Sequence, residues 1–263
     1  MSDTISAGEA ARRLGVAPAT IQRWVDQGVL NAERTPGGHR RIYVTEVRRL
    51  IATNRTGELS PPLAEWLGVL MAGDPRKLRL ALIGARQRSA SWAETVDEVA
   101  SALSEIGRRW EAGSCQVFEE HAASEVLRRA AAACAGDQHP GANAPSAVLL
   151  TVEGDRHTLG LSLAELVFAE AGWGLIWIGE GPPAEELDAL LAKHKPKLLS
   201  ASASAASPPA IIVRYQSELV KSAANARTRL ILAGSGAWRD APATSRIESF
   251  KELHTLLAEP NEV

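Results

Sequence analysis

Asp155-Arg156-His157-Thr158-Leu159-Gly160 sets an imidazole two residues after a carboxylate and three before a glycine. A neutral imidazole keeps one ring nitrogen free to bind a metal. A carboxylate that takes the other ring proton fixes the tautomer that leaves it free. From Gly160 the chain runs 41 residues to Ser202-Ala203-Ser204, then 28 more to Ala233-Gly234-Ser235-Gly236. Taken singly, the six-residue stretch would also suit an ordinary strand-to-helix loop with a solvated histidine. Three such pieces at these spacings ask for one common site.

Such a site needs elements to hold it. Residues 147–152 form a short apolar run suited to a buried parallel strand, and the His157 stretch leaves its carboxyl end. Residues 161–171 read as a helix and 175–178 as a strand. The alternation continues with helix 184–194, strand 198–201, helix 209–224, strand 229–233 and a last helix near 251–258. Strands alternating with helices predict a flavodoxin- or Rossmann-like doubly wound sheet, whose ligands sit at the carboxyl ends of its strands. His157, Ser202 and Gly234 all fall at or just beyond such ends.

The three pieces resemble the cobalamin-binding motif D-x-H-x-x-G … S-x-L … G-G of methionine synthase and the base-off/His-on corrinoid proteins. The resemblance implies that His157 is the lower axial ligand of cobalt and that Asp155 orients it. It implies that Gly160 lets backbone approach the corrin. Ser202, Ser204, Gly234, Ser235 and Gly236 would border the cofactor and clear a slot for its displaced nucleotide tail. Two positions depart from the motif: Ser204 stands where leucine is usual, and Ala233-Gly234 replaces Gly-Gly.

The amino-terminal end carries a different pattern. Residues 5–16 read as a short helix closed by glycine, and residues 18–25 start a second helix that Gly28 ends. Residues 30–33 and 41–43 suit the two arms of a wing, with 35–40 (Thr-Pro-Gly-Gly-His-Arg) at its tip. Over about the first fifty residues the chain closely resembles the winged helix-turn-helix of the MerR family, including its G-V-x-x-x-T-I-x-x-W and G-G-H-R-R segments. By position in that family, Thr20, Gln22 and Arg23 are candidates for base-edge or phosphate contacts in DNA. Arg40 and Arg41 are candidates for phosphate, and His39 for a backbone contact or a turn. Trp24 reads as a wedge in the small core rather than a base-stacking ring. Charge follows the same division: residues 1–55 hold nine Arg and Lys against five Asp and Glu, and the remainder holds 20 against 26. A basic end able to meet DNA is joined to an acidic body.

Between these ends, residues 61–136 are rich in Ala, Leu, Glu and Arg, with apolar positions near the helical period and breaks at residues 73–75, 89–91 and 112–114. That pattern predicts a four-helix bundle. Within it, Trp110 is followed after nine residues by Glu120-His121. This W-x9-E-H phrase resembles the cap of the CarH/LitR light-dependent repressors, and with it the whole chain resembles that family. The resemblance implies a non-enzymatic transcriptional repressor, and with no secretory leader or long apolar run in the sequence a cytoplasmic one is expected. In the dark it would hold adenosylcobalamin and bind operator DNA as a homo-oligomer, a dimer or tetramer. Photolysis would release the DNA. Trp110 would pack on the adenosyl group, with Glu120 and His121 completing its pocket. One departure stands out: the histidine that directly follows this tryptophan in the family is Glu111 here. His121 then becomes the candidate for the upper face after light.

The domains expected are 1–55 for the DNA-binding head, 60–136 for the helical cap and 146–260 for the cobalamin-binding domain, with hinges at 55–62 and 136–146. No apolar run of about 18 residues is present, so the reading holds no membrane span. Two cysteines, Cys115 and Cys134, give no disulfide framework and read as small buried residues. Other readings of the same residues are a light-independent corrinoid sensor and a regulator that binds haem or a bilin beside Trp173 and Trp177. A corrinoid methyl carrier is a further one, which the DNA-binding head opposes. Methylcobalamin is the alternative cofactor.

Overall fold

The computed structural model describes residues 4–14, 21–22, 24–25, 30–34, 40–47, 61–136, 140–141 and 143–259. The chain divides into two units, residues 1–62 and 63–263.

In the first unit, β1 (Thr4–Ser6), β2 (Ala32–Arg34) and β3 (Arg40–Tyr43) form an antiparallel sheet in the order β1-β3-β2. Helix α1 (Ala7–Leu14) follows β1 directly, and the Ser6 hydroxyl accepts from the Glu9 N–H at 3.2 Å to satisfy its first turn. The expected helix over 5–16 therefore starts late. Ile5 pairs with Ile42 in a ladder, and such non-local pairing leaves no local period to read. The β2–β3 arms occur within two residues of where the sequence suggests them. Ala10, Ala11, Ile21, Leu30, Ile42 and Val47 make a small core, with Trp24 and Val25 packed on it.

The second unit begins with helices α2 (Pro61–Met71), α3 (Pro75–Arg88), α4 (Trp92–Glu111) and α5 (Val117–Ala135). Each expected break is a helix junction with a stated cause. The Asp74 carboxylate accepts from the Arg76 and Lys77 N–H groups at 2.9 and 3.2 Å, and Pro75 supplies a first helical residue that needs no donor. Ser91 caps α4 through Glu94, and Gln116 and Glu119 form a reciprocal capping box on α5. Gly113 turns the chain between α4 and α5 at φ +71°, a conformation that disfavours any side chain. Cys115 and Cys134 are buried and unbridged.

The remainder alternates: β4 (Ser146–Glu153), α6 (Leu159–Glu170), β5 (Gly174–Gly181), a 3-10 turn at Ala184–Glu186 running into α7 (Leu187–His194), β6 (Leu198–Ser202), α8 (Pro209–Ala226), β7 (Arg229–Ala233), β8 (Thr244–Arg246) and α9 (Phe250–Ala258). All strand pairs are parallel, in the order β5-β4-β6-β7-β8. That is a doubly wound sheet whose strand order reverses beside β4, the position where such folds bind ligands. One face packs Val148, Leu150, Leu199, Leu230 and Leu232 against Leu187 of α7 and Tyr215 and Leu219 of α8. The alternate residues Ala147, Leu149 and Thr151 are buried on the side of α6. β8 has no counterpart in the sequence reading, because three residues are too few to show a period.

The helices α2–α5 dock on the α6 and α9 side through a few polar ties. Arg86 of α3 meets Glu170 at 2.6 Å, and the other oxygen of Glu170 accepts from the Trp92 N–H at 2.8 Å. Asp97 of α4 accepts from the Phe250 and Lys251 N–H groups at 3.0 and 3.3 Å, capping α9 from outside its own segment. Among the described residues, no helix is long and apolar enough to cross a membrane.

Candidate functional site

Sheet register explains the motif spacing. Thr151 stands beside Ser202, and Ser202 beside Ala233, so β6 and β7 end level with each other, two residues before the end of β4. The segments that leave them therefore emerge at one edge, although they lie far apart in the chain.

On that edge Asp155 is buried, with only 1% of its side chain exposed, while the His157 side chain is 66% exposed. Oδ1 of Asp155 accepts from the His157 backbone N–H at 2.9 Å and meets His157 Nδ1 at 2.7 Å. Oδ2 accepts from the Ser204 N–H and the Ser207 hydroxyl, each at 2.7 Å. Burial pushes the Asp155 carboxyl up, but the hydrogen bonds from Ser207, Ser204 and His157 outweigh it and hold the group down at about 2. An ionised Asp155 keeps the proton on Nδ1 and leaves the exposed Nε2 with a lone pair for a metal. The Thr151 hydroxyl donates to the Asp155 carbonyl from inside the sheet. The Ser235 hydroxyl accepts from the Ala205 N–H at 3.0 Å and ties the β6 loop to the β7 loop.

Beside this group lies a cavity of about 190 Å³. Gly160, Ser202, Gly234, Ala164, Ile231 and Phe250 are among its lining residues. The two motif glycines differ in what they do. A Cβ on Gly160 would meet nothing within 4 Å, so the space above it is open, whereas one on Gly234 would overlap the Ala203 carbonyl oxygen. Gly234 also sits at φ +83°. Gly234→Ala is therefore expected to destabilise the chain by about 3 kcal/mol, read as a lowered urea midpoint; Gly160→Ala is expected to leave it unchanged. Gly236 packs beneath Ala203 with no room for a side chain.

Trp110, Glu120 and His121 lie at the end of α4 and the start of α5. They share no hydrogen bond with the His157 group. Trp110 is 48% exposed, and Val117 and Phe118 at the start of α5 are exposed too. His121 Nδ1 meets Glu120 Oε2 at 2.5 Å, and the Ser124 hydroxyl donates to the other Glu120 oxygen at 2.8 Å. This second carboxylate–imidazole pair also leaves an exposed ring nitrogen. Glu111 ends α4, and its side chain lies outside the described residues.

In the first unit, Gln22 is helical and exposed, and Arg40 and Arg41 lie on β3. The Arg41 guanidinium donates to the Thr4 carbonyl at 3.0 Å, so it braces β1 as well as facing solvent. Thr20, Arg23 and His39 lie outside the described residues. Trp173 is core, edge-on to Phe168 with ring centroids 6.0 Å apart, while Trp177 is 42% exposed on β5. The sequence reading missed Thr151, Ser207 and Asp97. Ser207 closes the small-residue run 200–207, the one signal that could have pointed to it.

With this geometry in view, the family comparisons bear on both units. A model of the MerR family regulatory proteins matches residues 6–42, and a B12 binding domain model matches residues 63–135. They place a segment similar to MerR family regulatory proteins ahead of one similar to B12 binding domains. Along 239 residues the chain is 27% identical to the HTH-type transcriptional repressor CarH of Myxococcus xanthus, covering 73% of this chain and 76% of the relative. The chain is similar to that repressor over most of its length. Its fold is similar to that of the Methanosarcina barkeri monomethylamine corrinoid protein, with a TM-score of 0.54 at 16% identity over 74% of this chain and 94% of that one.

Proposed function

We propose that this chain is a cobalamin-dependent, light-sensing repressor that binds operator DNA as an oligomer in the dark. Residues 1–55 serve as a winged helix-turn-helix head, 60–136 as a four-helix cap and 146–260 as the corrinoid-binding domain. The observation that carries this reading is the exposed His157 imidazole, held by a buried, ionised Asp155 beside an open cavity, in a chain that begins with a MerR-type head.

The residues present fit a corrinoid. His157 Nε2 would hold the metal, and the open space over Gly160 would admit the ring. The cavity between Ser202, Gly234 and Phe250 would take an apolar part of the ligand. Ser204, Ser235 and Gly236 shape its rim. On the other side Trp110 supplies an exposed apolar surface that a ligand would cover, with Glu120 and His121 as its polar border. Adenosylcobalamin, when bound, supplies a cobalt–carbon bond that light can break. Trp110 would be the surface through which the helical segment senses whether that bond is intact. His121, which Glu120 orients, would be the candidate second ligand for the metal, since position 111 is Glu. One head grips DNA weakly, and holding several together raises the effective concentration of each later contact. Thr20, Gln22 and Arg23 reach the groove, and His39, Arg40 and Arg41 hold its backbone. The protein acts by binding, not by turnover.

An absorption spectrum of the chain loaded with adenosylcobalamin, before and after green light and with size exclusion on both, tests the reading. A light-driven spectral change with falling oligomer size supports it. Binding without a size change would replace it with a light-independent corrinoid sensor, a reading that Glu111 favours. No binding would remove the corrinoid. Trp110→Ala is expected to retain binding while separating photolysis from the size change, and a variant that switches normally would refute the role of the cap.

A further inference from the structure

Ser204 occupies the position where the corrinoid motif carries leucine, and its side chain does something a leucine cannot. Its hydroxyl oxygen lies 3.1 Å from His157 Nδ1, the atom that also meets Asp155 Oδ1 at 2.7 Å. Its backbone N–H separately donates to Asp155 Oδ2, a contact any residue at 204 could make. His157 Nδ1 therefore faces two oxygens that come from different strand ends, one after β4 and one after β6. The Ser204 hydroxyl can itself donate to the Ser207 hydroxyl, 3.5 Å away, which in turn donates to Asp155.

An imidazole held by one acceptor at Nδ1 can still swing about that bond. The His157 ring has reason to swing, because two-thirds of its side chain is in solvent. A second acceptor from a separate loop removes that freedom and fixes the ring plane before any ligand arrives. Ligation then costs less ordering.

We propose that Ser204 is a positioning residue that pre-orients the His157 ring for corrinoid capture, a device this chain holds in place of the usual leucine. This rests on the reading of His157 as the cobalt ligand.

The test uses the full-length apo protein and hydroxocobalamin as the probe, with wild type, Ser204→Ala and Ser204→Thr compared. Long-range ¹H–¹⁵N spectra of the apo His157 ring give one readout, and dark absorbance titrations give the other. Wild type and Ser204→Thr, which both keep a hydroxyl, are expected to show a sharp Nδ1–H ring signature. Ser204→Ala is expected to show an averaged ring and binding about tenfold weaker, in the range typical for groups that orient a ligand. If either readout in Ser204→Ala matches wild type, the proposal is overturned. If wild type binds no hydroxocobalamin, the corrinoid reading fails instead, and the apo ring spectra alone decide whether Ser204 holds His157.

Discussion

Asp155→Ala is expected to unfold about 3 kcal/mol more readily than wild type, and to lose corrinoid binding with it. The carboxylate is buried and accepts four hydrogen bonds, from two backbone N–H groups, one hydroxyl and one imidazole. Removing it strands those donors where three loops meet. The effect has a pH signature. Asp155 is held down at about 2 in the folded chain, below the value of about 3.9 of an unperturbed aspartate. A group depressed on folding stabilises above its unfolded pKa, and that stabilisation is lost as pH falls through the folded one. The stability gap between wild type and Asp155→Ala should therefore be full at pH 6 and shrink by about 2 kcal/mol as pH falls toward 2. Urea unfolding of both chains across that range checks this. A gap that stays constant with pH would mean that Asp155 is not an ionised hub.

His157→Ala is expected to do the opposite: keep the fold and lose the ligand. The side chain is two-thirds exposed and supplies one of the four donors to Asp155, so stability should change by about 1 kcal/mol or less. Corrinoid affinity should fall by about a hundredfold or more, since even groups that only orient a ligand contribute ten- to a hundredfold. Calorimetric unfolding of the apo chain and dark titration with hydroxocobalamin separate the two effects. Unaltered affinity would move the lower ligand elsewhere and end the assignment of this edge as the corrinoid site. Taken together, the two variants divide the pair into a residue that builds the site and one that uses it.

The order of elements was legible because it rests on local signals. The run at 147–152, the helix at 209–224 and the strand at 229–233 each carry their own period or composition, and each appears in the structure within a few residues. Helix breaks at 73–75, 89–91 and 112–114 were legible for the same reason, since Asp74, Ser91 and Gly113 act on their own neighbours. The start of α1 was misread and β8 missed, because both depend on pairing with distant strands. Asp155 with His157 could be read as a pair because two residues of spacing leave them adjacent in any fold.

What the sequence determined by itself is the set of parts: a MerR-type head, helices with a Trp-Glu-His phrase, and a sheet with its motif at the strand ends. Tertiary structure alone decided how the parts act together. Parallel register sets Thr151, Ser202 and Ala233 in one row, which brings Ser204 and Ser207 onto Asp155 across 49 and 52 residues of chain. Packing of α4 against α9 brings Asp97 to the rim of the same cavity. Local propensity acts over a turn or two of chain, whereas these contacts exist only once the strands have paired and the helices have docked.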